Sequence, residues 1–160
     1  MLTATIGGGK GGTGKTTLTR NIAPILARRG RVLVIDADSQ GGLTLASGIT
    51  APPYTLADVL LAKRSLRGAA LEAGPFHIIP AGRALAEAEL AIAGKIGRES
   101  ILKRALATVA ADYDMVLIDS GPSLGLMSVN ALAASDGVVC VVRPQAQDLA
   151  ALGEYMTTVS

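Results

Sequence analysis

The chain has 160 residues, and its 15 Lys and Arg against 13 Asp and Glu give a net charge of +2 at pH 7. This length predicts a single domain, residues 1–160, with one substantial core. The charge is too small to argue by itself for nucleic acid or an anionic membrane as a partner. Aromatic residues make up only 2% of the chain, which argues against base stacking on an aromatic platform. The single cysteine, Cys140, excludes a disulfide or a cysteine metal cluster within one chain.

Strand-like and helix-like segments alternate along the chain. The predicted strands are short, apolar and rich in β-branched residues, and they cover 2–6, 31–35, 76–80, 115–118 and 137–142. The predicted helices cover 15–29, 56–62, 66–73, 84–93, 99–111, 124–134 and 149–159. This alternation predicts an α/β fold with a doubly wound, mainly parallel sheet and helices on both faces. The first strand starts at residue 2 and no apolar stretch is long enough to span a bilayer, so we expect no secretion signal and a cytoplasmic protein.

The loop after the first strand carries a phosphate-binding motif. Residues 9–16 match G-x-x-x-x-G-K-[ST] between a predicted strand and a predicted helix, which favours a phosphate site over a glycine-rich turn without a ligand. Glycines allow φ > 0 and let backbone N–H groups approach an anion, and the helix start directs further N–H groups at it. Lys15 would reach the β- and γ-phosphates of ATP, or the β-phosphate of ADP, and the Thr16 hydroxyl would bind Mg²⁺. The residues predicted to bind nucleotide are Gly9, Lys10, Gly11, Gly12, Thr13, Gly14, Lys15, Thr16 and Thr17.

Three carboxylates follow predicted strands at the same edge of the sheet as this loop. Asp36 and Asp38 come directly after the strand at 31–35, and Asp119 follows the strand at 115–118. Because cofactors bind at the carboxyl ends of parallel strands, we expect these acids near the nucleotide. A single carboxylate acting through water suffices for Mg²⁺, and Asp119 is the candidate. Each of the three acids has a turn or cap role as its alternative.

The second residue of the loop adds a signature. Lys10 opens the sequence KGGTGKT, where an ordinary P-loop needs no lysine, and its alternative role is a solvated surface residue. With this lysine the chain resembles the ParA/MinD family of dimerising ATPases, which are P-loop NTPases of the SIMIBI type. The resemblance implies that Lys10 crosses a dimer interface to the partner's nucleotide and acts with Lys15, and that Asp38 positions the attacking water. The metal site it implies consists of Thr16, Asp36 and Asp119.

The resemblance to the ParA/Soj branch extends over almost the whole chain. Residues 38–44, DSQGGLT, are similar to the D-P-Q-G-N-x-T stretch of ParA proteins, and residues 119–125, DSGPSLG, are similar to D-x-P-P-S-L-G. The chain departs from these patterns at Ser39, Gly42 and Gly121, which all lie in the two switch loops. These departures bear on the hydrolysis rate and the response to a partner more than on nucleotide binding.

A ParA-type protein implies an ATP-dependent homodimer that binds DNA without sequence specificity and is stimulated by a ParB-like partner. Its role would be to position a plasmid, a chromosome region or a protein cargo. Longer relatives carry further C-terminal strands and helices, which hold the adenine-contacting loop and most of the DNA-binding surface. We therefore expect this chain to be truncated relative to them, with the strand at 137–142 near an edge of the sheet.

Three other functions occur on this fold. A MinD-like positioning switch at the membrane would need a C-terminal amphipathic helix, which these residues do not contain. An iron–sulfur carrier would need cysteines that bridge a dimer, and Cys140 stands alone in an apolar strand. A nucleotide-dependent binding module with little hydrolysis is compatible with the altered switch loops.

Two further features are interpreted as structural. The basic residues Lys63, Arg64 and Arg67 could contact DNA phosphates, but a solvated junction between two helices is the preferred interpretation. His77 begins a predicted strand and is expected to be a structural or exposed histidine rather than a catalytic base.

Overall fold

The structure is a computed structural model that describes residues 1–159, and a six-stranded sheet lies at its centre. The strands are β1 (Leu2–Gly7), β2 (Val32–Ala37), β3 (Leu71–Ala73), β4 (Phe76–Ile79), β5 (Met115–Ser120) and β6 (Gly137–Cys140). Their order across the sheet is β3-β4-β2-β5-β1-β6. Strands β4, β2, β5, β1 and β6 run parallel, and β3 pairs antiparallel with β4. The predicted doubly wound, mainly parallel sheet is confirmed.

Helices cover both faces of the sheet. They are α1 (Lys15–Leu26), α2 (Gly42–Ala46), α3 (Leu56–Leu60), α4 (Leu66–Ala69), α5 (Ala84–Ile92), α6 (Ile101–Ala107), α7 (Leu126–Ala133) and α8 (Ala146–Val159), with a 3-10 turn over Arg98–Ser100. Thr55 and Asp58 form a reciprocal capping box at the start of α3, in which the Thr55 N–H donates to Asp58 Oδ2 at 2.9 Å. Within residues 1–159, none of the helices combines the length and the apolar character needed to cross a membrane.

The core lies in two layers, one on each face of the sheet. Successive side chains of a strand point to opposite faces, so β2 contributes Leu33 and Ile35 to one layer and Val32 and Val34 to the other. The first layer packs against helices α3, α4, α5, α6 and α7, and the second packs against α1 and α2. All six residues of β2 are buried, as expected for a central strand of a parallel sheet covered on both faces.

Two short elements differ from the prediction. Residues 66–73 are predicted as one helix, but α4 ends at Ala69 and residues 71–73 form β3. Residues 71–73 pair with β4 through a turn at Gly74, where φ is +71°, and this pairing overrides the local helical preference. A three-residue strand is too short to show a periodic pattern in the sequence. Helix α2 lies in a stretch predicted as loop, and α1 ends at Leu26 rather than at residue 29. These shifts leave the positions of the predicted site residues unchanged.

Strand β6 forms one edge of the sheet in the described part of the chain, as expected. It pairs with β1 on one side, and Val139 is 44% exposed. Cys140 is only partly buried, because among residues 1–159 no strand pairs with β6 on its outer side. An apolar groove of about 570 Å³ runs beside the strand, between α7, β6 and α8.

Candidate nucleotide-binding site

The carboxyl ends of β1, β2 and β5 meet at one edge of the sheet, and the loops that follow them surround a cavity. Asp119 is in register with Ile6 on one side and with Asp36 on the other, so the three strands end level with one another. The cavity has a volume of about 440 Å³. It is lined by residues 11–17 and by Asp38, Gln40, Ser120 and Pro122. Its lining begins at Gly11, so Gly9 and Lys10 of the predicted nucleotide set lie outside it.

The phosphate loop has the backbone that its glycines allow. Gly12 and Gly14 adopt φ values of +71° and +102°, and Gly14 is the N-cap of α1. No atom lies within 4 Å of where a Cβ would stand at either residue, so the loop is open toward the cavity. Thr13 lies in the same lining, and its buried hydroxyl has no hydrogen-bond partner among the described residues. The exposed N–H groups of a helix start and this hydroxyl suit an oxyanion.

Lys15 is the cation of the cavity. Its side chain is 7% exposed, and its Nζ donates a hydrogen bond of 2.8 Å to the carbonyl oxygen of Lys10. Burial lowers the pKa of Lys15, whereas the charges of Asp119 and Asp38 oppose that shift. The two acids therefore keep an ammonium group beside the loop, where a phosphate would find it.

Thr16 and Asp119 form a pair of oxygen ligands suited to Mg²⁺. The Thr16 hydroxyl donates to Asp119 Oδ2 at 2.7 Å, and the Thr19 hydroxyl donates to Oδ1 at 3.2 Å. Residues 1–159 hold no cluster of three or more His, Cys, Asp or Glu side chains able to bind a metal ion. Mg²⁺ is bound in nucleotide sites by one or two protein oxygens, phosphates and waters, so the pair fits this ion.

The carboxyl group of Asp119 is 1% exposed, and its pKa is raised from 3.8 to about 6. Burial is the main cause; the hydroxyl of Thr16 lowers the pKa, and the nearby Asp36 raises it. A charged Asp119 is therefore costly until a cation neutralises it, which is the electrostatic setting of a metal ligand.

Asp119→Asn is expected to stabilise the protein without nucleotide and to abolish the Mg²⁺-dependent part of ATP affinity. The rise in the pKa of Asp119 corresponds to a cost of up to about 3 kcal/mol at pH 7, which an uncharged amide avoids while still accepting from Thr16. Because the folded state binds this proton more tightly, the free energy of unfolding of the wild type rises as the pH falls from about 6 toward 4. This rise should be smaller in the variant. Urea denaturation at pH 7 and pH 5 measures the stability of both proteins and its dependence on pH. A variant less stable than wild type at pH 7 contradicts the expected stabilisation.

Asp36 secures the loop that follows β2. It is fully buried, and its Oδ2 accepts from the Thr44 N–H at 2.8 Å and from the Thr44 hydroxyl at 2.7 Å. Its Oδ1 accepts from the Asp38 N–H at 3.2 Å, and burial raises the pKa of Asp36. The Thr44 hydroxyl in turn accepts from the Ala81 N–H at 2.9 Å, which links the loop to the end of β4. The support that Asp36 gives to a metal site stays a prediction, and the anchoring role of Thr44 was not predicted.

Asp38 lies on the rim of the cavity and is partly buried. Its Oδ1 accepts from the Gln40 N–H at 3.0 Å, which is the turn role that the sequence left open. A Cβ at Gly121 would stand 3.4 Å from the carboxyl carbon of Asp38, so the two switch loops approach each other here. The carboxylate faces the cavity while it holds its own turn, and its catalytic role stays a prediction.

Lys10 is engaged within its own chain. Its Nζ forms an ion pair of 3.0 Å with Asp148 Oδ1 and donates to Gln147 Oε1 at 3.1 Å. The side chain of Lys10 is 35% exposed. The structure therefore shows a partnered lysine rather than a purely solvated one. Asp148 and Gln147 were not predicted as partners of Lys10, because they lie in α8, far along the chain from the phosphate loop.

The two features interpreted as structural have local partners. Arg64 lies over the ring of Tyr54 at 4.3 Å, and Arg67 forms an ion pair of 2.6 Å with Asp112. His77 packs edge-to-face on Tyr113 with 5.6 Å between ring centroids. None of these residues lies in the lining of the cavity.

The loop, the lysine and the aspartates at the carboxyl edge define a P-loop nucleotide-binding protein. A family model described as an AAA domain matches residues 1–160. The sporulation initiation inhibitor protein Soj of Bacillus subtilis is 40% identical over 157 residues, which are 94% of this chain and 61% of that protein. The chromosome-partitioning ATPase Soj of Thermus thermophilus is 38% identical over 151 residues, 94% of this chain and 58% of that protein.

A solved structure is similar over nearly the whole chain. Cobyrinic acid a,c-diamide synthase from Mycobacterium smegmatis, with a bound ATP analogue and magnesium, matches with a TM-score of 0.95 and 32% identity. The match covers 99% of this chain and 67% of that one. The chain belongs to the ParA/MinD-like AAA domain family, which confirms the resemblance seen in the sequence. It spans about three fifths of the length of the curated relatives, 61% and 58% of the two Soj proteins.

Proposed function

We propose that this chain is the nucleotide-binding part of a cytoplasmic ParA-like ATPase that positions a plasmid, a chromosome region or a protein cargo. The observation that carries the proposal is the cavity of about 440 Å³, lined by the phosphate loop and Asp38 and backed by the Thr16–Asp119 pair. The identities of 38% and 40% to the Soj proteins exceed the 32% to the M. smegmatis synthase, so we prefer partitioning to amide synthesis.

The chemistry proposed is ATP hydrolysis. Lys15 and the N–H groups of the loop hold the β- and γ-phosphates, and Thr16 and Asp119 hold Mg²⁺, which neutralises charge on those phosphates. Asp38 accepts a hydrogen bond from water and orients it toward the γ-phosphorus. These roles need positioned charge and little covalent chemistry from the protein, which suits a site of one ammonium and two carboxylates.

The proposed cycle includes a homodimer closed by ATP, with Lys10 of each subunit on the nucleotide of the other. Lys10 stands outside the cavity of its own chain, since the lining starts at Gly11. A second subunit's nucleotide gives it a target that its own subunit does not. A ParB-like partner would stimulate hydrolysis and so reset the dimer, and non-specific DNA would bind the ATP form.

Lys10→Ala is expected to leave ATP binding by the monomer nearly unchanged and to abolish ATP-dependent association. The reason is that the phosphate contacted by Lys10 belongs to the other subunit. Sedimentation velocity with ATP and with ADP measures association, and Lys63→Ala, at an exposed lysine outside the cavity lining, is the matched control. Equal ATP-dependent association of wild type and Lys10→Ala would remove the role between subunits.

A turnover assay tests the function itself. Phosphate release from ATP is measured with Mg²⁺, with and without double-stranded DNA. Slow hydrolysis that rises with DNA supports the partitioning ATPase. ATP binding without hydrolysis, in a protein that still associates, would instead indicate a nucleotide-dependent binding module.

A further inference from the structure

Lys10 of the phosphate loop forms a cluster with three side chains to which the proposed cycle gives no role. We call this cluster the Asp148 clasp, and its members are Lys10, Arg143, Gln147 and Asp148. Asp148 lies in the first turn of α8 and is 1% exposed. Lys10 Nζ lies 3.0 Å from its Oδ1, and Arg143 donates to both oxygens, from Nε at 2.8 Å and from an Nη at 3.2 Å. The clasp is thus one buried carboxylate shared by two cations.

Two contacts join α8 and the segment before it to the end of β1. Tyr155 of α8 is 2% exposed and lies against Gly7, where a Cβ would overlap its hydroxyl. The Val141 N–H donates to the Gly7 carbonyl at 2.9 Å, which joins the chain after β6 to the start of the phosphate loop. These contacts place α8, which carries Asp148, beside the start of the loop that carries Lys10.

Release of Lys10 would not leave a buried charge alone. Arg143 makes a bidentate pair with Asp148, and its backbone N–H donates to Oδ2 at 3.3 Å. A bidentate guanidinium pair is strong and geometrically specific, so the carboxylate stays neutralised when the lysine leaves. Breaking a buried pair is severely destabilising chiefly when one charge loses every partner, and that condition is not met here. Lys10 can therefore exchange between Asp148 and another anion.

We propose that Asp148 is a positioning residue that holds Lys10 within its own subunit and competes for it with the nucleotide of the second subunit. The competition rests on the proposed function, because that function supplies the second anion. The ion pair between Lys10 and Asp148 must break before the dimer closes, so its strength opposes ATP-dependent association. Weakening it frees the lysine and strengthens association.

The first experiment tests the clasp without nucleotide. Lysine acetylation of the full chain with N-hydroxysuccinimide acetate is followed by mass spectrometry, with Lys63 as the internal reference. We expect Lys10 to react more slowly than Lys63 in the wild type and at a similar rate in Asp148→Asn. Asp148→Glu should restore part of the protection, which a purely structural role would not predict. Equal reactivity of Lys10 and Lys63 in the wild type overturns the proposal.

Gln147→Ala is a second variant that tests the clasp even if Asp148→Asn does not fold. Gln147 is exposed, and its replacement removes one contact to Lys10 while the Arg143–Asp148 pair remains. We expect a smaller rise in Lys10 acetylation than in Asp148→Asn. No rise in Gln147→Ala, together with a misfolded Asp148→Asn, counts against the clasp.

The second experiment tests the competition. Sedimentation with ATP and Mg²⁺ should show about two- to fivefold tighter association of Asp148→Asn than of wild type, the effect of a partly exposed ion pair. If Lys10 is protected from acetylation in the wild type but Asp148→Asn associates no more tightly, the clasp is only a local ion pair. That result overturns the proposed competition. Absence of ATP-dependent association in the wild type counts instead against the proposed function, and the acetylation result stands separately from it.

Discussion

Lys15→Ala is expected to weaken ATP and ADP binding by about 10- to 100-fold, since a hydrogen bond to a charged group contributes about 1.5–3 kcal/mol. Lys15 is 7% exposed, and the charges of Asp119 and Asp38 act on its ammonium group. Its loss removes the positive charge that offsets these acids, so the β-phosphate would meet two negative groups with no cation between them. Isothermal titration calorimetry with ADP and with ATP·Mg²⁺ measures the effect.

Two variants make this result specific. Lys63→Ala removes an exposed lysine outside the cavity lining and should bind nucleotide like the wild type. Thr16→Ala removes a proposed metal ligand and should lower affinity only when Mg²⁺ is present. Unchanged ADP affinity in Lys15→Ala, with the fold verified by circular dichroism, would refute the assignment of the phosphate loop.

Asp38→Ala is expected to slow ATP hydrolysis by about 10²–10⁴-fold, the usual contribution of a group that orients or deprotonates water. Lys15, Thr16 and Asp119 stay in place, so nucleotide and Mg²⁺ should still bind. The ATP-bound dimer should therefore accumulate, because its chemical step is slowed and its assembly is not. Single-turnover phosphate release measures the rate, and sedimentation measures the dimer.

The turn role of Asp38 calls for a second variant. Asp38→Asn keeps an oxygen to accept from the Gln40 N–H, the bond of 3.0 Å seen in the structure, but it lacks the charge. If Asp38 acts on water, both variants lose turnover. Wild-type turnover in Asp38→Asn with loss in Asp38→Ala would show that the residue only shapes the loop.

The layout of the site could be predicted from the sequence because its signals are local. A glycine-rich loop between a strand and a helix fixes where phosphates bind, and Asp36 and Asp119 each end an apolar run. Parallel strands that end level bring such residues together, and the register of Asp36 with Asp119 confirms this. The five longer strands could be predicted for a similar reason, since each is a short and largely apolar segment.

Other features depend on contacts between distant parts of the chain, for which a single sequence carries no signal. The ion pair of Lys10 with Asp148 joins the second residue of the loop to the last helix. The bonds from Thr44 to Asp36 arise because α2 folds back on β2, and a five-residue helix has too few turns to show periodicity. Strand β3 likewise exists only by pairing with β4.

The bond from Ala81 to Thr44 ties two events that would otherwise be separate. The Thr44 hydroxyl donates to Asp36 and accepts from Ala81 at the same time. It therefore links the end of β2 to the segment that follows β4. Any swing of the loop at 38–44 large enough to carry Thr44 away strips the Ala81 amide of its acceptor. Hydrogen exchange at the Ala81 amide would then report movement of the loop, from a residue outside the lining of the proposed nucleotide site.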